Sequence, residues 1–212
     1  MRRHRLTSFF LGLPWLVTLG LFWAFPVVYS FIISLTDYRL LSRQPPRWTG
    51  LENYTALFHD TQFLQALKTT FVFVIGTVPV TTVIALLLAL LVNRQFRGRT
   101  LFRAGFFLPS ITSMVVIALI FTNLYQRGGY LALLAQMLGI PTPEYGFLYS
   151  DRTALPAIMG MDIWMSSGYY MLIFLAGLKA IPEELYEAAE IAGASAMRRF
   201  FSITLPLLRP VA

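Results

Sequence analysis

Long apolar runs alternate with short polar ones along this chain. Four complete runs lie at about 9–35, 70–92, 106–125 and 154–178, and a fifth begins near 203. Each complete run reaches the ~20 residues a helix needs to cross the hydrocarbon core of a bilayer. Runs of that length are too long for barrel strands. The pattern predicts an all-α polytopic membrane protein with four complete transmembrane helices plus the start of a fifth. The first run follows Arg2, Arg3 and Arg5 in the manner of a secretory leader. It is longer than the ~7–15 apolar residues of such a leader, so it is expected to stay as a span. Pro14 and Pro26 should kink it.

The polar intervals set the orientation. Arg2, Arg3 and Arg5, then Arg94, Arg97, Arg99 and Arg103, then Lys179, Arg198, Arg199 and Arg209 fall in one alternating set of intervals. The other set holds Arg39, Arg43, Arg47, Lys68, Arg127 and Arg152, interspersed with Asp37, Glu52, Asp60, Glu144 and Asp151. The positive-inside rule places the first set in the cytoplasm, with the N-terminus, and leaves 36–68 and 126–153 outside. The outer intervals carry Pro45-Pro46, an amphipathic stretch over 54–67 and a short helix candidate over 130–138. They read equally as connectors or as docking surface for an external protein.

Composition narrows the chemistry. Hydrophobic residues are 57% and charged residues 13% of the chain, against about 25% charged in a soluble domain. The net charge of +7 is split between membrane faces and so records topology rather than nucleic-acid binding, which needs one basic surface. There is no cysteine, and His4 and His59 lie outside the spans without ligand-like spacing. Neither a disulfide framework, a thiolate metal site nor a cofactor is expected. A phosphate-binding G-x-x-x-x-G-K-[ST] loop is absent, so the chain itself should bind no nucleotide. No Ser/His or paired-acid constellation lies at matched depth, which speaks against an intramembrane enzyme.

Between the fourth and fifth runs, residues 183–201 form a short polar interval with a mechanical reading. Pro182 suits a helix start, and Glu183 and Glu184 complement the helix dipole in the first turn. Leu185, Ala188, Ala189 and Ala192 make one narrow stripe of mostly small side chains, while Glu183, Glu187 and Glu190 occupy another face. A small-residue stripe permits close approach of a partner. Gly193 should stop the helix in the left-handed conformation. Ser195 can then cap a second helix that carries Arg198, Arg199, Phe200 and Phe201 back to the membrane. Pro206 is tolerable near the start of the next span.

The same positions carry a resemblance. Glu187, Ala188, Ala189, Gly193, Ala194, Phe200 and Leu205-Pro206 resemble the EAA loop of binding-protein-dependent ABC importers, with Ala192 standing where that family commonly has Asp. Gly50 to Tyr54, Gly98 to Arg103 and Ala176 to Pro182 are similar to the sugar-type permeases, above all to the maltose- or lactose-permease-like first subunit. The resemblance implies the ABC importer permease fold, a transmembrane permease domain over 1–212 that lacks its C-terminal spans, and coupling helices over 183–201 within it. It further implies a non-catalytic subunit of the cell (plasma or inner) membrane. The implied partners are a second permease subunit, a cytoplasmic ABC ATPase dimer and an extracytoplasmic solute-binding protein.

Inside the spans, Asp162 is the only acidic residue, and no basic residue accompanies it. Ionisable groups at that depth face a cavity or the bundle interior. With Trp164, Ser166, Ser167, Tyr169 and Tyr170 it could line a substrate path, combining aromatic stacking with hydrogen bonding as a sugar site would require; Asn123 and Tyr125, near the outer end of the third span, are further candidates. Two other readings stand beside this one. Asp162 could be protonated, or bond a neighbouring helix, while the aromatics pack or form an interfacial belt, or it could be the intramembrane polar site of a secondary transporter or channel.

Overall fold

The computed structural model describes residues 2–41 and 45–210, with side chains from residue 10 onward. Arg43 and the side chains of Arg2, Arg3, His4 and Arg5 therefore lie outside the described residues. The chain divides into two compact units, residues 1–69 and 70–212.

The first unit opens with α1 (Arg2–Leu19) and α2 (Phe25–Ser34), joined without a break by a π-helical turn over Gly20–Ala24. Proline explains that turn. Pro26 has no N–H to donate, and its ring crowds the carbonyl four residues back. Widening the turn moves that carbonyl aside, and the Phe25 N–H donates to the Gly20 carbonyl instead. None of the most apolar window of Phe10–Ser34 is buried within the protein, as expected of a helix solvated by lipid.

The polar interval after α2 folds back onto it. The Asp37 N–H donates to the Arg47 carbonyl at 2.9 Å, and that of Thr49 to the Leu35 carbonyl at 2.9 Å. Asn53, at the start of α3 (Glu52–Leu57), donates from Nδ2 to the carbonyls of Ser34 (2.8 Å) and Thr36 (2.9 Å). These are among the carbonyls a helix end leaves without partners. The Tyr54 hydroxyl adds a 2.6 Å bond to Ser34 Oγ. The sequence reading put one amphipathic stretch at 54–67; two helices divide it instead. Asp60 Oδ1 accepts the N–H groups of Gln62 (2.8 Å) and Phe63 (3.3 Å), and this cap starts α4 (Thr61–Asn93) well before residue 70. At ~1.5 Å per residue α4 exceeds the ~30 Å hydrocarbon core, so it projects beyond the core or tilts within it.

The second unit holds the rest of α4, α5 (Arg99–Ile111), α6 (Met114–Tyr125), α7 (Tyr130–Met137) and α8 (Ala154–Ala180), followed by α9 (Glu183–Ile191), α10 (Ala196–Arg199) and α11 (Leu205–Leu208). The apolar run over 106–125 is not one straight rod. It divides between α5 and α6, which meet at 98°, so the described residues hold three candidate spans plus this bent pair. Pro109 weakens the last turn of α5, and Thr112 and Ser113 then adopt extended ψ values of 145° and 131°.

Two seams hold the unit together. Along α4, Thr77, Thr81, Ala85 and Ala89 recur at every fourth position and are buried, a small-residue stripe that lets helix backbones approach. Ala85, Ala89 and Val92 pack with Met171, Phe174, Leu175 and Leu178 of α8 and Leu208 of α11 in one apolar core. At the other seam, α5 crosses α8 at Gly168. A methyl group there would lie 1.7 Å from the Phe106 carbonyl oxygen, so only glycine admits the crossing. Ser110 Oγ donates across it to the Met165 carbonyl at 2.9 Å.

Candidate functional site

Two features of the second unit concentrate polar chemistry. The first is the elbow after α8. Pro182, in extended conformation, caps α9, and Glu183 and Glu184 occupy its first turn. The helix ends where Gly193 takes φ +73°. The Gly193 N–H donates to the Glu190 carbonyl and that of Ala194 to the Ala189 carbonyl, each at 2.9 Å. This pair of bonds closes a helix around a left-handed glycine. Two residues later Ser195 Oγ accepts the Arg198 N–H at 3.3 Å and starts α10. A second π-turn, Phe200–Thr204, precedes Pro206 as the first precedes Pro26, and the Leu205 N–H donates to the Phe200 carbonyl.

The two limbs of the elbow are tied. Glu190 Oε2 accepts from the Arg199 guanidinium at 2.7 Å, so this acid belongs to the elbow's own fastening rather than to the free acidic face with Glu183 and Glu187. Tyr186 OH lies 2.9 Å from Thr204 Oγ1, linking the middle of α9 to the turn that enters α11. Ala189 and Ala194 line a concavity of about 250 Å³ between the limbs. Phe200 is half-buried, while Leu185, Glu187, Ala188, Ala192 and Pro206 are exposed. Ile191 and Met197 are 90% and 67% exposed, so the elbow presents an uncovered apolar surface edged by acids.

The second feature is a cavity of about 360 Å³ between α4 and α8. Thr77, Thr81 and Thr82 face Asp162, Ser166 and Tyr170 across it, and Phe73, Val78 and Phe174 supply apolar wall. The Thr77 and Thr82 hydroxyls bond within their own helix, to the carbonyls of Phe73 and Val78. Thr81 does not follow them. It is 5% exposed, and its Oγ1 is without a hydrogen-bond partner among the described residues. No basic side chain lines the cavity. Among the described residues the only ion pair is Glu190–Arg199, so Asp162 has no counter-ion.

Helical periodicity separates the residues that the sequence grouped as a substrate path. Asp162, Ser166 and Tyr170 follow one another at four-residue steps and share the cavity face. Trp164 lies elsewhere, 5.4 Å from Phe121 and beside Leu101, Phe102 and Phe106. Tyr169 is half-exposed and packs edge-on against Tyr170 at 5.4 Å without lining the cavity. The contribution of α4 escaped the sequence reading, although Thr77 and Thr81 interrupt an apolar helix at the same four-residue step.

Comparison with known proteins gives the geometry a family. Residues 81–212 match the family described as binding-protein-dependent transport system inner membrane component. The "Probable ABC transporter permease protein YesP" of Bacillus subtilis (strain 168) is 34% identical over 100% of this chain and 68% of its own length. The trehalose/maltose transport system permease protein MalF of Thermococcus litoralis is 33% identical over 99% of this chain and 70% of its own. A bacterial ABC transporter involved in the import of the acidic polysaccharide alginate shares the fold, with a TM-score of 0.77 at 24% identity over 99% of this chain and 70% of that one. Both the polar cavity's α8 wall and the whole elbow fall within the matched residues. The chain belongs to the family of binding-protein-dependent transport system inner-membrane components.

Proposed function

We propose that this chain is a permease subunit of an ATP-driven importer for a carbohydrate or related polyol, coupled to a cytoplasmic ATPase through residues 183–201. The observation that carries the coupling role is the elbow itself. Its turn is fixed by Gly193 and Ser195, its limbs are fastened by Glu190–Arg199, and yet Leu185, Ala188, Ile191 and Met197 remain uncovered. A rigid charged elbow with an apolar outer surface is suited to receive a soluble partner, as in helix-in-groove recognition.

The carbohydrate assignment is supported by the trehalose/maltose system named for one relative and by the hydroxyl-rich cavity at Asp162. Along α4 and α8 that cavity precedes the apolar core of Ala85, Ala89, Met171 and Leu178, which leads on to Leu208 beside the elbow. Closure of the ATPase dimer would move α9, and Tyr186–Thr204 would pass that movement to α11. ATP is hydrolysed by the partner, a second permease subunit completes the path, and an external binding protein delivers the cargo.

The test is affinity purification of the tagged transporter from its own membranes. A soluble ATP-hydrolysing subunit should co-purify, and alanine at Leu185 and Ile191 together should release it. Retention of the ATPase by that double variant would remove the coupling role from the elbow.

A further inference from the structure

The connection from α4 to α5 gathers four arginines with nothing beside them to neutralise their charge. Arg94, Arg97, Arg99 and Arg103 fall close together, and no acid occurs anywhere between Asp60 and Glu144. None of the four has an ion-pair partner among the described residues, where Glu190–Arg199 is the only such pair. Arg94 and Arg97 are exposed, while Arg99 and Arg103, on one face of α5, are half-buried. Like charges so close repel one another unless anions sit among them. A guanidinium fork matches the oxygens of a phosphate two at a time.

The flank of α5 next to those arginines is apolar and open. Leu101, Phe102, Gly105 and Phe106 form with Trp164 of α8 a groove of about 390 Å³. Arg99, Phe102, Arg103 and Phe106 follow one another at helical steps, so the two arginines adjoin the groove's aromatic wall. Phe96 packs edge-on against Phe102 at 5.7 Å, and Phe102 lies 6.2 Å from Phe106, carrying aromatic rings from among the arginines into the groove. Leu101 is 78% exposed, and no atom lies within 4 Å of a methyl group built on Gly105. An acidic soluble partner would answer the arginines and leave such a groove empty. An apolar helix would fill the groove and leave four charges bare. A molecule with an anionic head and an apolar tail satisfies both.

We propose that α5 holds an anionic phospholipid, its phosphate on Arg99 and Arg103 and one acyl chain in the groove against Gly105, Phe106 and Trp164. Arg94 and Arg97 add to the attraction for an anionic headgroup, as basic clusters at a membrane face do. The site needs only that α5 lies in a bilayer. Neither the coupling role of the elbow nor the class of cargo enters it.

The test is photochemical, on the assembled transporter in nanodiscs of phosphatidylcholine with about one-fifth phosphatidylglycerol as the anionic lipid. p-Benzoylphenylalanine replaces Leu101 on the groove wall, or Phe22, 72% exposed in the first span, as the reference. After irradiation the adducts on this chain are read by mass spectrometry. At Leu101 the ratio of phosphatidylglycerol to phosphatidylcholine adducts should exceed that at Phe22 at least about threefold. Arg99→Gln with Arg103→Gln should bring it down to the reference ratio. With the arginines intact, raising salt from about 0.1 M to about 1 M should lower it. Gly105→Leu, which fills the groove without changing charge, should cut the lipid adducts at Leu101.

A ratio at Leu101 equal to that at Phe22, or one that neither the double substitution nor salt lowers, would overturn the site. Undiminished lipid adducts in Gly105→Leu would remove the acyl chain from the groove and overturn it as well. So would adducts at Leu101 to another subunit in place of lipid, which would show the groove to be covered by protein.

Discussion

Single positions carry unlike burdens in this chain, and two of them can be set against each other. Gly193 works through backbone conformation alone. At φ +73° any L side chain is strained, by roughly 1–2 kcal/mol, and a β-branched one by more. No atom lies within 4 Å of a methyl group built there, so the strain falls on the turn rather than on neighbours. Gly193→Val should therefore leave abundance near normal while cutting both uptake and ATPase co-purification severely. Glu187→Ala, which removes only an exposed acid, should be much milder in both measurements. Thr81 is the opposite case, a buried side chain whose hydroxyl has no hydrogen-bond partner among the described residues. Replacing it with isosteric valine removes a buried unsatisfied donor, so thermal stability should hold or rise, by up to about 1 kcal/mol. Uptake should fall nonetheless. A variant that lost stability and uptake together would mark Thr81 as a packing residue. Gly193 and Ser195 were legible in the sequence because helix stops and caps depend on local chemistry. Thr81 was not, because its meaning depends on which helix lies opposite.

At the level of elements, the same distinction between local and tertiary causes decides where the sequence pattern and the structure part. Hydropathy located the apolar segments but carries no sign of direction, so the 98° bend between α5 and α6 was invisible to it. Pro109, Thr112 and Ser113 were its only markers within the apolar run over 106–125. The early start of α4 was readable in principle from Asp60, whose capping role competes with the reading of one amphipathic stretch over 54–67. On α8 the sequence offered candidate residues without their faces. Asp162, Trp164 and Tyr169 are neighbours in sequence, yet the helix turns Trp164 toward Phe121 and leaves Asp162 facing α4. The link between elements most open to test is Tyr186–Thr204, since Thr204 is buried and joins α9 to the turn before α11. Tyr186→Phe keeps the ring and deletes the bond. ATPase binding should be retained, because the outer surface of the elbow is unchanged. Transport per ATP hydrolysed should drop severalfold, measured as the ratio of uptake to ATPase rate in proteoliposomes. An unchanged ratio would show that movement of α9 reaches the membrane helices by another route.

For the molecule as a whole, the expected orientation rests on an asymmetry of charge among the polar intervals. Eleven of the seventeen basic residues lie in the intervals holding the N-terminus, the α4–α5 connection and the elbow. The four arginines from Arg94 to Arg103 have no acid among them, and in the intervals assigned outside, bases and acids are mixed. Translocating such a loop is costly, so the positive-inside rule predicts that these intervals stay in the cytoplasm. The proposed coupling through the elbow depends on that orientation, since an ATPase could be met only on the side where ATP is hydrolysed. Two substitutions in the cysteine-free chain report on opposite faces. Met197→Cys lies on the elbow and Tyr130→Cys at the start of α7, 67% and 79% exposed respectively. Neither residue caps a helix or lines the polar cavity. In intact cells a membrane-impermeant maleimide should label Tyr130→Cys and spare Met197→Cys, and in inverted vesicles the labelling should reverse. Labelling of Met197→Cys from outside would place the elbow beyond the reach of a cytoplasmic ATPase, and no arrangement of its residues could then serve coupling.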